Sequence, residues 1–177
     1  MTKETNNNEY NGVNQTRKMS AWILMLIGFT VLGITVHEAG HLMMVKILGG
    51  DGIISYDATL LFGSMTVTKM PPNPDHLWLM YPAGGVITAL FFFVFFWLPP
   101  WLTKTKQDIY VESAASATIY TNLFYAPTEL LLYKFGGITE TFSWISSLMM
   151  MIGLAIAFIF YLKKILNWID EPSNNNR

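Results

Sequence analysis

The segment from Met19 to Val36 contains no charged residue and leads directly into the sequence His37-Glu38-Ala39-Gly40-His41. An uncharged, mostly apolar stretch of about 18 residues or more is long enough to cross a bilayer as a helix. Ionisable groups are costly at membrane depth, so groups found there are expected to have a function. The pattern predicts a membrane helix that carries a polar site in its last third.

That polar site has the form H-E-x-x-H. On a helix, His37 and His41 stand one turn apart on the same face, where two imidazoles can bind one zinc ion. Glu38 lies beside them, placed to accept a proton from a water molecule that the metal activates. The chain has no cysteine, so any metal must be held by His, Asp or Glu. We therefore predict Zn²⁺ as the cofactor, with His37 and His41 as ligands.

The composition predicts an integral, multi-pass membrane protein. Only 13% of the residues are charged, against about 25% in a soluble domain. A net charge of −1 gives no support for a nucleic-acid partner. We expect an all-α membrane protein with about four transmembrane helices and a small re-entrant or interfacial β-hairpin after the first. The predicted spans are 20–48, 77–102, 109–133 and 141–162.

These spans are expected to form one transmembrane domain, residues 19–168, between a disordered polar tail at 1–18 and a second polar tail at 169–177. Residues 53–70 are rich in β-forming residues, and Phe62-Gly63-Ser64 is a plausible turn between two strands. Pro99-Pro100 is expected to end the second span. The third span contains a stripe of small residues, 113–118, which lets helix backbones approach closely in lipid, so this helix should be buried.

Two histidines leave a catalytic zinc one protein ligand short of the usual three. If the spans alternate in direction, the first and third are parallel, and depth can be compared. His37 lies roughly 25 Å into the first span, and Glu129 lies roughly 30 Å into the third. Geometry therefore favours Glu129 as the third ligand. Asp57 and His76 flank the hairpin on the same side and remain alternatives, whereas Glu112 and Asp108 lie near the opposite face.

These residues together resemble the site-2 protease family of intramembrane zinc metalloproteases, over roughly residues 20–135. His37 to His41 matches the family's H-E-x-x-H motif. The stretch 83–88 is similar to a family segment that contains Gly-Pro and a later Asn, with Gly85 and Thr88 in place of the Pro and Asn. Residues 122–129 resemble the family's N-x-x-P-x-P-x-L-D-G motif, but the stretch is one residue shorter, lacks one Pro and has Glu129 where the family has Asp.

The resemblance implies a zinc-dependent endopeptidase that hydrolyses peptide bonds in or near transmembrane segments of membrane proteins. It implies that Asn122 donates a hydrogen bond to the developing oxyanion, while Glu38 serves as the general base. An exposed edge of the hairpin would hold the unwound substrate as an added strand. Two other classes stay open: a catalytically weak or inactive membrane scaffold, and a metal transporter.

Membrane orientation has two conflicting predictors. With four spans, one side carries most of the basic residues: Lys3, Arg17, Lys18, Lys104, Lys106, Lys163, Lys164 and Arg177. The other side carries Lys46, Lys69 and Lys134. Lysine and arginine favour the cytoplasm, which places both termini inside. The family resemblance implies the reverse, with the catalytic centre nearer the cytoplasm. The charge bias is a local physical rule, so we expect the termini to be inside.

Overall fold

The computed structural model describes residues 2–57, 62–103, 109–134 and 140–170. The chain is mostly helical, and a two-stranded antiparallel sheet follows the first helix. The α-helices of these residues are α1 (Thr2–Ile47), α2 (Met80–Phe92), α3 (Leu98–Thr103), α4 (Ile109–Lys134) and α5 (Glu140–Asp170). The strands are β1 (Asp51–Asp57) and β2 (Phe62–Lys69). A short 3₁₀ helix, Pro74–Leu79, precedes α2, and a π-helical turn, Phe93–Trp97, joins α2 to α3.

Two stretches in the described part of the chain are long and apolar enough to cross a membrane, Val13–Ile47 and Pro74–Pro100. A third crossing is added if Met151–Ile159 and Tyr161–Ile169, which meet at 56°, are counted as one span. Helix α4 is not among them, because its serine, threonine and charged residues lower its mean hydropathy. The structure therefore supports two or three spans, and the predicted count of four is not clearly shown.

Several predicted boundaries differ from the structure. Helix α1 includes residues 2–18, the stretch for which the composition predicts a polar tail. The second apolar span does end at Pro100, although the helix itself continues to Thr103. Both prolines closely follow the π-helical turn Phe93–Trp97, where the hydrogen-bond pattern of the run changes. Helix α5 extends to Asp170, and residues 171–177 lie outside the described residues.

Contacts between α1 and α4 show that these helices run in the same direction. Trp22 Nε1 donates to Ser113 Oγ at 2.9 Å near one end, and His37 Nδ1 lies 3.1 Å from Asn122 Oδ1 near the other. Helix α2 runs antiparallel to α1, since Gly40 lies against Gly84 while Phe29 packs on Phe92. Residues Ser113 to Thr118 of α4 are all buried, as expected for its small-residue stripe. Helices α1 and α4 therefore lie side by side, and their contacts extend to the polar site.

Helix α1 ends at Ile47, just before the glycine-rich residues 49–52. Gly49 adopts a φ of 86°, which glycine reaches without steric cost, and the Gly50 N–H bonds back to Val45 O at 2.9 Å. Strand β1 then begins at Asp51, whose carboxylate accepts the Gly52 N–H and lies 3.5 Å from Lys46 Nζ. The Gly52 hydrogen bond, and then the Lys46 charge, hold the pKa of Asp51 below its usual value.

The hairpin is confirmed, but its predicted turn is wrong. Phe62, Gly63 and Ser64 belong to β2, and Gly63 pairs with Tyr56 of β1. The strands are joined by residues 58–61, which lie outside the described residues. Gly63 makes a close approach to α1: a Cβ there would lie 2.8 Å from Glu38 Cγ. Strand β2 therefore rests directly on the H-E-x-x-H turn of α1.

Candidate metal centre

Helix α1 presents His37 and His41 on one face, as their spacing predicts. Both residues are 8% exposed, and their ring centroids lie 4.6 Å apart in an edge-to-face arrangement. Their Nε2 atoms are 3.0 Å apart. The two imidazoles thus direct one nitrogen each toward a common point inside the helix bundle.

Glu129 of α4 completes the cluster. Its Oε1 lies 3.3 Å from His37 Nε2 and 3.3 Å from His41 Nε2. The three atoms form a nearly equilateral triangle. Bonds of about 2.0–2.1 Å to a tetrahedral zinc would hold ligand atoms about 3.3–3.4 Å apart, so this triangle has the size of one tetrahedral face. The predicted convergence of His37, His41 and Glu129 is confirmed as a group able to hold a metal ion.

The other ring nitrogens are held by protein acceptors. His41 Nδ1 lies 2.7 Å from Met80 O, a backbone carbonyl that can only accept a hydrogen. His37 Nδ1 lies 3.1 Å from Asn122 Oδ1, and Asn122 Nδ2 donates to Thr118 O at 2.9 Å. Each Nδ1 is therefore the donor in its pair, so each Nε2 of a neutral ring carries a lone pair toward Glu129.

This donor set suits a cation. Two imidazole lone pairs and a carboxylate face one another within 3.3 Å in a buried site, and such an arrangement is electrostatically unfavourable without a positive charge between its members. The second carboxylate oxygen, Glu129 Oε2, is buried and has no hydrogen-bond partner among the described residues. A metal ion bound by these residues would balance both features. The residues thus fit a metal ion, and their nitrogen and oxygen donors are among the ligand types that zinc takes.

Gly84 of α2 allows this site to form, for a reason that the sequence did not reveal. A Cβ at position 84 would lie 2.5 Å from His41 Nε2 and 2.7 Å from His37 Nε2. Any side chain there would occupy the point at which the ligand atoms meet. Thr88, one turn further along, is fully buried and donates to Gly84 O at 2.8 Å. The Thr88 hydroxyl therefore already makes a hydrogen bond within α2.

Glu38 and Asn122 border an open space beside the cluster. A cavity of about 260 Å³ lies between α1, α4 and α5. Its lining includes His37, Glu38, Asn122 and Gly63 at one end. The predicted general base, Glu38, thus lies against the β-hairpin at the end of the cavity that His37 also lines. Asn122 lies on the same cavity, and it also holds His37, a contact that the sequence did not predict.

Of the alternative ligands, His76 and Glu112 lie outside this cluster. His76 is exposed in the 3₁₀ helix, outside the cluster. Glu112 lies at the other end of α4, where it accepts a hydrogen bond from Tyr161 at 3.0 Å and lies 3.5 Å from Lys164 Nζ. The Asp57 side chain and all of Asp108 lie outside the described residues.

Comparison with known proteins gives no assignment: no family model, curated protein or solved structure matches this chain.

Proposed function

We propose that this protein is a zinc-dependent intramembrane endopeptidase that hydrolyses peptide bonds in or near transmembrane segments of membrane proteins. The observation that carries the proposal is the triangle of His37 Nε2, His41 Nε2 and Glu129 Oε1, with Glu38 adjacent to it on a cavity. A metal-holding triad alone is compatible with many functions. A carboxylate that lines the same cavity as one of the three residues, His37, supports hydrolysis.

Each residue of the proposed site has a separate role. His37, His41 and Glu129 would hold the zinc, which when bound supplies Lewis-acid activation of water and of the scissile carbonyl. Glu38 would accept the proton from the attacking water and pass it to the leaving amine. Asn122 gives one Nδ2 hydrogen to Thr118 O and keeps a second. Its place on the cavity supports the proposed role as donor to the oxyanion.

We propose that the protein lies in the lipid bilayer, and we propose the following arrangement of its helices there. We propose that α1, the α2–α3 run, α4 and α5 cross the membrane once each, with the less apolar α4 shielded from lipid by its neighbours. The buried stretch Ser113 to Thr118 supports this arrangement. Gly85, whose added Cβ would lie 2.6 Å from Asn122 O, shows how closely α2 covers α4. The resemblance to the site-2 protease family agrees with this reading and remains part of the proposal.

The structure offers little support for a metal transporter. Transport needs a polar path that continues beyond one site. The buried hydroxyls of α4 are used by protein partners: Ser113 bonds with Trp22 and Tyr110, and Thr118 donates to Ala114 O. Ser116 bonds with Tyr161. The carboxylate at the other end, Glu112, is not among the residues that line the cavity.

The proposal is tested with single-span reporter proteins whose spans consist of leucine and alanine around a central Asn-Pro pair. The pair weakens the helix locally, so the peptide bond is accessible. Co-expression with wild type should give a cleaved product, and Glu38→Gln should reduce cleavage by about 10²- to 10⁴-fold while zinc is retained. Glu112→Gln, a carboxylate outside the cluster, is the matched control and should cleave normally. Equal product from wild type and Glu38→Gln would reject the protease and leave the inactive scaffold as the better reading.

A further inference from the structure

Tyr125 lies on α4 between two residues that contact His37. It follows Asn122 by three positions and precedes Glu129 by four, so the three side chains share one face of the helix. Asn122 Oδ1 meets His37 Nδ1, and Glu129 Oε1 meets His37 Nε2. The Tyr125 ring packs edge-to-face against the His37 ring, with the two centroids 5.2 Å apart. This face of α4 therefore places a phenol beside the first histidine of the cluster.

Tyr125 also lines the cavity that Glu38 borders. It is half-buried, so part of its surface is accessible. His41 and Glu129 are not among the residues that line this cavity, whereas His37 is. A molecule in the cavity would thus reach the cluster at His37, where Tyr125 and Asn122 both contact that histidine.

A peptide-cleaving site needs hydrogen-bond donors at this place. When water adds to the carbonyl carbon of a peptide bond, the carbonyl oxygen gains negative charge, and donors fixed in advance around that oxygen lower the barrier. Two hydroxyls of the cavity lining are directed elsewhere, because Thr30 and Thr118 each donate to the backbone carbonyl four residues earlier. Asn122 and Tyr125 are donors on the lining that also contact His37.

A phenol suits this role for two reasons. It is a hydrogen-bond donor at neutral pH. Its ring is rigid and has only two rotatable side-chain bonds, so little conformational entropy is lost when the hydroxyl is fixed. The packing of the Tyr125 ring against His37 further restricts where the phenol can lie relative to the cluster.

Resting on the proposed function, we infer that Tyr125 is a catalytic residue that donates a hydrogen bond to the carbonyl oxygen of the cleaved peptide bond, together with Asn122. Water gives a proton to Glu38 and adds to the carbonyl carbon, and the carbonyl oxygen becomes anionic while Tyr125 donates its O–H. The C–N bond then breaks, the carbonyl double bond forms again, and Glu38 passes the proton to the leaving nitrogen. Tyr125 keeps its own proton throughout.

The test is Tyr125→Phe, which removes the hydroxyl and keeps the ring that packs on His37. The purified, zinc-loaded variant should cleave the leucine-alanine reporter with kcat reduced by about 10²- to 10³-fold. KM should change less than about twofold, because an interaction made only in the transition state lowers kcat and kcat/KM equally. Zinc content should equal that of wild type. Tyr120→Phe, at an exposed position of α4 outside the cavity lining, is the matched control and should leave kcat and KM unchanged.

A phosphinic peptide gives a readout that does not depend on turnover. This probe has the sequence of the reporter around the cleaved bond and carries –PO₂–CH₂– in place of the amide, so it mimics the tetrahedral, negatively charged transition state. Donors to the developing oxyanion bind such analogues more tightly than they bind the substrate. Tyr125→Phe should therefore bind the probe at least about tenfold more weakly than wild type, and Tyr120→Phe should bind it as wild type does.

The outcomes separate the two proposals. If wild type cleaves the reporter and Tyr125→Phe cleaves it equally well, the donor inference is wrong and the protease stands. Loss of zinc from Tyr125→Phe would also overturn the inference, since the tyrosine would then act by holding His37. A lower kcat with unchanged affinity for the phosphinic peptide would overturn it as well. If wild type itself cleaves no reporter, the proposed function fails, and the donor role of Tyr125 fails with it.

Discussion

Asn122 Oδ1 lies 3.1 Å from His37 Nδ1, and the Asn122 amide nitrogen is itself fixed by Thr118 O at 2.9 Å. This chain of contacts sets the orientation of the His37 ring, because the amide cannot turn over without losing its own hydrogen bond. Helix α4 thereby supplies a metal-ligand candidate, Glu129, and also the residue that orients the first histidine of α1. Residues in this position typically contribute 10- to 100-fold to metal affinity.

We therefore expect Asn122→Ala to lower zinc affinity by about 10- to 100-fold, because His37 loses its acceptor. Zinc release to a competing chelator, followed on purified protein, measures this. Thr121→Ala, at the neighbouring position of the same helix, is the control and should bind zinc normally. If Asn122→Ala reduces cleavage while zinc affinity is unchanged, the residue acts only on the substrate, as the oxyanion role predicts.

The ligand set is tested by removing each candidate carboxylate. Glu129→Ala should strongly reduce the zinc content of purified protein, because a triad with one ligand missing binds the ion weakly. Glu112→Ala should leave zinc content unchanged, since its partners are Tyr161 and Lys164. Elemental analysis by mass spectrometry gives the stoichiometry. Loss of zinc in Glu112→Ala with retention in Glu129→Ala would refute the assignment.

Strand β2 should influence catalysis through Gly63. A side chain there must displace Glu38, since even a Cβ would lie 2.8 Å from Glu38 Cγ. Gly63→Val is expected to reduce reporter cleavage by about 10- to 100-fold, as a general base displaced by about 1 Å does, while zinc content stays normal. Ser64→Val, at the exposed next position, should have little effect. Equal activity in the two variants would show that the hairpin does not position Glu38.

Membrane orientation follows from single cysteines at Ser64 and Asn174, probed on intact cells with a membrane-impermeant thiol reagent. Ser64 is exposed and avoids the contact that Gly63 makes. The charge bias predicts that both termini face the cytoplasm, so position 64 should be labelled and position 174 should not. Labelling at 174 alone would reverse the orientation and agree with the family resemblance.

The sequence predicted the metal cluster because its ligands obey simple helix geometry. His37 and His41 are one turn apart, and a comparison of depth found Glu129 because α1 and α4 run parallel with the same rise per residue. The role of Gly84 was missed, since the approach of α2 to the histidines depends on how the helices pack. The same limitation explains Gly63, which was interpreted as part of a turn. Local sequence cannot distinguish a glycine needed for a bend from one needed for a close contact.

The number of spans is less well determined than the site. Helix α4 is polar enough that its sequence alone fits a membrane crossing or a helix inside a soluble protein equally well. The tail at 1–18 was predicted from composition, whereas the structure continues α1 through residues 2–18. The Lys18 ammonium donates to Trp168 O at 2.5 Å, which links this extension to α5. Such a contact depends on the tertiary arrangement and leaves no local signal.

The most direct test of hydrolysis uses purified, zinc-loaded protein and the leucine-alanine reporter in water enriched in ¹⁸O. Wild type should generate a new carboxyl terminus that contains one solvent oxygen, detected by mass spectrometry of the product, and Glu38→Gln prepared in parallel should generate none above background. Product formed equally by both proteins, or the absence of any product from wild type with zinc bound, would contradict the account.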